Sequence, residues 1–285
     1  MERKLKIASR RSPLALIQTN MVGEHLAGVS GYEIVEKVTT GDKQQGWSLE
    51  KQGGKGLFTK ELEEALLSGE ADIAMHSAKD LPTELPKGLV IAGYLPRDTP
   101  NDVLILRENI VGSPHKIATA SPRRRAQVRV MYPKAEFLEI RGNVATRLNK
   151  MVDGYADATV MAAAGLKRLN IESYSGLKFI PLAVDHMVPA VGQGAIAIEC
   201  HKDRIEEFRP LLDAETFQSV SIERIFLTML GGGCQTAVGG HFTDGHLHIF
   251  HEAAGYSKHP LHNIVDLGQT AERIADIIQA IGVLQ

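Results

Sequence analysis

A chain of 285 residues is long enough for two or three domains and a sizeable buried core. Its 44% hydrophobic and 23% charged residues are those of an ordinary soluble globular protein. A formal net charge of −2 excludes any argument from overall charge for nucleic-acid or anionic-membrane binding, so electrostatic arguments must be local.

Two cysteines, Cys200 and Cys234, are too few for a disulfide framework and suit a reducing compartment. No apolar run approaches membrane-spanning length, and the start, MERKLKIASRR, lacks the apolar core of a signal peptide. The expectation is therefore a cytoplasmic protein with no membrane segment.

Residues 5–9 (LKIAS) read as a first strand that ends at Arg10-Arg11-Ser12-Pro13. Pro13 suits the first turn of a helix through LALIQTNMVGEHL. Arg10 and Ser12 thus sit at a strand-to-helix corner, where free backbone N–H groups favour an anion. Residues 33–39 read as a second strand. The glycine-rich, aperiodic stretch from Gly41 to Gly56 holds the only tryptophan, Trp47, and a loop of that length is more often functional or mobile than idle. It runs into a helix, LFTKELEEALLSG, striped by Leu57, Leu62, Ala65 and Leu66.

The next strand, Ile73-Ala74-Met75, passes without a turn residue into His76-Ser77-Ala78-Lys79-Asp80. Polar groups at the carboxyl end of a buried strand lie where open α/β sheets bind ligands. Taken alone, Asp80 beside Lys79 and His76 reads first as an ion pair. Residues 88–95 supply another strand, and PRDTP at 96–100 is a natural boundary before DVLIL. From residue 116, strands and helices alternate (KIATAS, PRRRAQVRVMY, AEFLEI, NVATRLNKMVDG, ADATVMAA), which argues for a parallel, doubly wound sheet. Residues 189–199 hold a Gly-rich turn and a strand that returns the chain to the first domain. The expected division is a discontinuous domain 1 (1–97 and 190–214), domain 2 (98–189) and a small α+β domain 3 (215–285).

Charge is concentrated between Lys116 and Lys150, where nine basic residues face only Glu136 and Glu139. Arginine dominates there, and its planar fork pairs bidentately with carboxylate or phosphate. Arg125 and Arg129 read as solvated surface charges. Arg10, Arg123, Arg124, Arg141 and Arg147 share strand ends and read together as an anion site, to which Arg168 could add. Nucleic acid is the rival polyanion, but only 5% of residues are aromatic and no binding motif is present.

In the last third, Gly231-Gly232-Gly233 precedes Cys234, a plausible loop thiolate or attachment point, whereas Cys200 reads as a small buried hydrophobe. Six of the eleven histidines follow. An Asp244-Gly245 hairpin pairs His241 with His248 and puts His246 on the same face, which is expected to be an exposed polar face and not a metal site. No zinc-ligand spacing is present.

These blocks add up to a resemblance. IASRRSPLALIQ (7–18), VTTGD (38–42), GGKGLFTKELE (53–63), ADIAMHSAKDLP (71–82), RGNVATRL (141–148), AAGLKRL (163–169), PAVGQGAIAIEC (189–200) and GGGCQ (231–235) resemble the porphobilinogen deaminase (hydroxymethylbilane synthase) family over essentially the whole chain. The resemblance implies two doubly wound, periplasmic-binding-protein-like domains and a monomeric transferase. It would join four porphobilinogen molecules head to tail into linear hydroxymethylbilane, releasing four ammonia. It further implies a dipyrromethane cofactor held by a thioether to Cys234, which primes the chain and stays bound when water releases the product.

By the same resemblance Asp80 is the catalytic residue. Ser12, Lys79, Thr119, Ser121, Arg123, Arg124, Arg141 and Arg147 match cofactor contacts, and Arg10, Gln18 and Arg168 match substrate contacts. Lys51, Lys55 and Phe58 match a mobile loop and its hinge. The implied partners are porphobilinogen and the growing polypyrrole chain, with no nucleic acid and no metal. The chain departs from the family pattern at Ala120, where a serine is usual, and at Gly231, where a glutamate is usual; the third domain also looks shorter. The competing reading is a non-catalytic anion-binding module of the same fold.

Overall fold

The structure is a computed structural model, and it describes residues 3–28, 31–43, 56–232, 237–261 and 266–283. Thirteen strands are present among them. In chain order the first seven are β1 (Leu5–Arg10), β2 (Tyr32–Lys37), β3 (Ile73–Ser77), β4 (Leu89–Tyr94), β5 (Asp102–Arg107), β6 (Lys116–Ala118) and β7 (Glu136–Leu138). The remaining six are β8 (Ala158–Ala162), β9 (Leu177–Pro181), β10 (Ile196–His201), β11 (Val238–Thr243), β12 (His246–His251) and β13 (Gly255–Pro260).

They form two five-stranded sheets, ordered β2-β1-β3-β10-β4 and β7-β6-β8-β5-β9, and a three-stranded sheet β11-β12-β13. In the first sheet β1 runs parallel to β2 and β3, while β10 is antiparallel to β3 and β4. The second repeats the scheme: β6 is parallel to β7 and β8, and β5 is antiparallel to β8 and β9. The alternation predicts parallel strands, and the core of each sheet has them. The antiparallel strand in each is the one the chain brings over from the other sheet. Because it arrives without a helical crossover, it enters from the opposite end. The chain passes between the sheets twice, through 95–101 and 182–195.

Strand periodicity places the cores. Ile7 and Ile73 face one side of the first sheet with Ala15 and Val22 of the Pro13–Leu26 helix; Ala8 and Ala74 face the other with Leu62, Ala65 and Leu66 of the Lys60–Leu67 helix. In the second sheet, Leu148 and Met151 of the Val144–Val152 helix cover one face and Val128 of the Pro122–Met131 helix covers the other. Three of these four helices, all but Lys60–Leu67, start on a capping side chain. Ser12, Ser121 and Asn143 accept from the backbone N–H groups of Ala15, Arg124 and Thr146, satisfying donors that the helix itself leaves open.

β9 and β13 are edge strands that the sequence reading does not name. β13 reads Gly-Tyr-Ser-Lys-His-Pro, with no apolar alternation to announce it. The hairpin at Asp244-Gly245 is as expected, with His241 paired to His248. The expectation that this histidine face is exposed is overturned: His241 and His248 are both buried. His241 Nδ1 lies 3.0 Å from Glu223 Oε1, and His248 Nδ1 lies 3.1 Å from the Tyr256 hydroxyl. No group of three or more His, Cys, Asp or Glu side chains suited to a metal occurs among the described residues.

Glu223, on the Ala214–Met229 helix, is fully buried and joins the parts. Arg97, in the first connecting segment, donates to it at 2.6 and 3.2 Å, and the N–H of Gly192, in the second, donates at 2.8 Å. The Phe242 N–H of the third sheet adds a bond of 2.9 Å. Burial alone would raise its pKa, but the Arg97 guanidinium and His241 outweigh burial and hold it at about 2.

Candidate active site

Beta strand β3 is buried up to its last residue and hands over to a single tight turn, Ala78–Asp80. That turn is fixed from below. The Ala78 N–H donates to the Ala195 carbonyl at 3.1 Å, and Gly192 (φ +72°) passes so close that a Cβ there would meet the Ala78 Cβ at 2.9 Å. Lys79 and Asp80 are therefore carried, half-buried, on a backbone with little freedom. His76, on β3, is buried with Nε2 2.9 Å from Glu199 Oε2, a partner within the sheet.

Five cations and two carboxylates interact at this strand end. Burial first, then Arg124 and Arg123, push the Lys79 ammonium down to about 8, against the pull of Asp80 and Asp102. Lys79 Nζ also donates toward Gln193 Oε1 at 3.5 Å. Burial, then Arg124 and Arg141, bring Arg147 down to about 10, with Asp80 again opposing. The structure therefore brings Asp80, Lys79, Arg123, Arg124, Arg141 and Arg147 into one electrostatic neighbourhood. Burial in the first place, and the neighbouring positive charges in the second, are why Lys79 and Arg147 lose affinity for protons.

The carboxylate missed by the sequence reading is Asp102, the first residue of β5 and fully buried. Arg123 Nη2 donates to its Oδ2 at 2.7 Å; Arg124 Nε and Nη2 donate to its Oδ1 at 3.0 and 2.7 Å. Burial would raise the Asp102 pKa, but the two guanidiniums overcome it and hold it low. In the sequence it is only an acid opening an apolar run, DVLIL, as many surface acids do.

Other expected contacts have protein partners. Arg10 forms a two-pronged pair with Asp42 (2.5 and 3.2 Å) and stands 4.3 Å over the Phe58 ring. Asp42, although burial opposes it, is held below the usual carboxylate range by Arg10 and Thr39. Ser12 and Ser121 are helix caps, and the Thr119 hydroxyl accepts from the Ser121 N–H at 3.2 Å. Gln18 is buried beneath β3 and accepts from the Ser77 hydroxyl at 3.1 Å. Arg168 donates to the Gly194 carbonyl at 2.5 Å and lies 3.9 Å from Asp98, so it braces the two connecting segments. Cys234, Lys51 and Lys55 lie outside the described residues. Cys200 is buried and its thiol is pushed up to about 11 by burial, as a structural cysteine.

The family sequence model described as porphobilinogen deaminase, dipyromethane cofactor binding domain, matches residues 5–208. The chain belongs to the porphobilinogen deaminase family. The match covers the Asp80 turn and every arginine named above, and it ends before Cys234. A porphobilinogen deaminase of Brevibacillus brevis is 44% identical over 253 residues, 85% of this chain and 81% of that one. One of Nitrobacter hamburgensis is 46% identical over 249 residues, covering 82% of this chain and 77% of the relative. One of Bacillus subtilis is 42% identical over 251 residues, 85% and 79% of the two chains.

Among solved structures, the chain is similar to the periplasmic VFT2 domain of Bordetella pertussis BvgS, at 17% identity and TM-score 0.43, over 76% of this chain and 91% of that one. The reduced regulatory domain of OxyR2 from Vibrio vulnificus matches at 14% identity and TM-score 0.43, over 74% and 93%. The fold itself is read from the strand order above.

The residues present fit the family's cofactor. A dipyrromethane bears several carboxylates, and the strand-end cations are crowded and partly desolvated, a donor set suited to more than one anion.

Proposed function

We propose that the chain is a porphobilinogen deaminase that condenses four porphobilinogen molecules into linear hydroxymethylbilane with loss of four ammonia. The observation that carries this reading is the placement of Asp80 on a rigid turn in the field of Lys79 and Arg147, in a chain of this family. When bound, the dipyrromethane supplies the pyrrole carbon onto which the first unit is joined; Cys234, through a thioether, would hold it.

Asp80 offers a fixed negative charge to the ring that turns cationic as the aminomethyl nitrogen of porphobilinogen leaves as ammonia. Its carboxylate can then take the proton released when the new carbon–carbon bond is complete. Arg123, Arg124, Arg141, Arg147 and Lys79 would bind acetate and propionate groups and so orient the reacting rings. Ser12, Thr119 and Ser121 would add cofactor contacts; Arg10, Gln18 and Arg168 would serve the substrate, with Lys51, Lys55 and Phe58 closing over the cleft.

The three sheets support a division into domains of 1–97 with 190–214, 98–189 and 215–285. We take the enzyme to act as a monomer in the cytoplasm, which the sparse cysteines favour. Intact mass tests the reading. Protein purified after expression with porphobilinogen available should exceed the bare chain by two pyrrole units and redden with an acidic aldehyde reagent. Cys234→Ser should have the bare mass. A bare wild-type mass, unchanged by incubation with porphobilinogen, would favour the anion-binding module instead.

A further inference from the structure

Arg123 and Arg124 open the Pro122–Met131 helix as neighbours, and one buried carboxylate holds both. The back edges of the two guanidiniums are also tied to main-chain oxygens. Arg123 Nη1 donates to Val188 O at 2.6 Å, and Arg124 Nη1 donates to Val160 O at 2.9 Å. A guanidinium has five N–H groups. Among the described residues these bonds engage two on Arg123 and three on Arg124, so each has donors beyond those bonds to offer a further acceptor. Two adjacent cations away from water repel strongly, because screening is weak there. With Asp102 between them the trio carries one net positive charge and can persist without a ligand.

We propose that Asp102 is the positioning residue of the carboxylate site: it holds the two guanidiniums side by side and correctly turned before any ligand arrives. The inference rests on the functional reading above, since porphobilinogen brings two carboxylates per unit and must be bound repeatedly in one orientation. Ordering long side chains in advance removes that penalty from each binding event. A role in charge neutralisation alone would need no particular geometry. The observed one is specific, with three bonds of 2.7–3.0 Å from two forks converging on one carboxylate.

The test compares wild type, Asp102→Asn, Arg123→Gln and the double variant Asp102→Asn/Arg123→Gln, each expressed with porphobilinogen available. Asp102→Asn alone leaves two buried cations uncompensated and stands to lose stability. The double variant keeps the trio's net charge, so it stays measurable if the single variant fails to fold. Relative to Arg123→Gln, the double variant is expected to raise KM for porphobilinogen about tenfold, with kcat changed by less than about threefold. It should also show a smaller fraction of protein carrying the adduct by intact mass. Equal KM and equal adduct fractions in those two proteins would overturn the inference and leave Asp102 a neutralising charge. A wild type with neither adduct nor turnover would overturn the functional reading and this inference with it; an active wild type with matched variants overturns the inference alone.

Discussion

Lys79 shows what the site does to a single residue. Its ammonium is partly stripped of water and faces Arg124 and Arg123, so its folded-state pKa, about 8, lies below its ordinary 10.5. A lysine whose folded pKa is depressed opposes folding wherever it is still charged. That penalty is complete below about 8 and fades as pH rises toward 10.5, because the unfolded chain then binds more protons than the folded one. Lys79→Met, placed in the Cys234→Ser background to keep the cofactor out, should therefore raise the thermal midpoint at pH 7. The gain should shrink steadily between pH 8 and 10. A lower midpoint for Lys79→Met at pH 7 would mean the charge is well compensated after all. Asp80, Arg141 and Arg147 were legible as a group because each follows a strand, Arg147 on the first turn of the next helix, where the α/β pattern predicts a site. Asp102 was not, because nothing local tells a buried counter-ion from an ordinary acid at a strand start.

At the scale of elements, two small features hold the site. The Ala78–Asp80 turn rests on Gly192, whose positive φ and 2.9 Å approach leave no room for a side chain. Gly192→Ala should displace the turn and lower kcat by about tenfold or more, since misplacement of about an ångström costs heavily in an oriented reaction. Unchanged kinetics in a folded Gly192→Ala protein would show that the turn tolerates movement. The second feature is the Ala214–Met229 helix, whose buried Glu223 has partners that nothing local in the sequence announces. They lie at Arg97, Gly192, His241 and Phe242, more than a hundred residues away in one case, and only the folded chain brings them together. That convergence also explains the misread histidine face: pairing across the hairpin was visible, but the packing of Glu223 against it was not. Glu223→Ala removes the partner of a largely buried guanidinium and should destabilise by about 3–5 kcal/mol, read from urea unfolding. A loss near zero would mean that Arg97 finds other partners.

Over the whole molecule, the chain's two passages between sheets explain both the mixed strand directions and the way the site is assembled. Asp80 and Lys79 come from the first sheet, the arginines from the second, and the helix carrying Glu223 ties both passages to the third. The alternating pattern made the α/β organisation, with helices on both faces of each large sheet, readable. The return of the chain at 189–199 was readable too, but the antiparallel direction of the exchanged strands was not, because strand direction depends on where a segment re-enters and leaves no local mark. Arg10 and Arg168 show the same limit: both lie at the expected strand or helix ends, yet their forks engage Asp42 and the Gly194 carbonyl.

The central claim is that Asp80, set among cations on a rigid turn, carries the chemistry and not the binding. Its most direct test is the turnover number of Asp80→Asn on porphobilinogen, measured on protein whose intact mass shows the same cofactor adduct as wild type. The account predicts a fall of about a hundredfold or more, because the amide keeps the shape but supplies neither the charge nor the proton acceptor. Turnover within about threefold of wild type would contradict it.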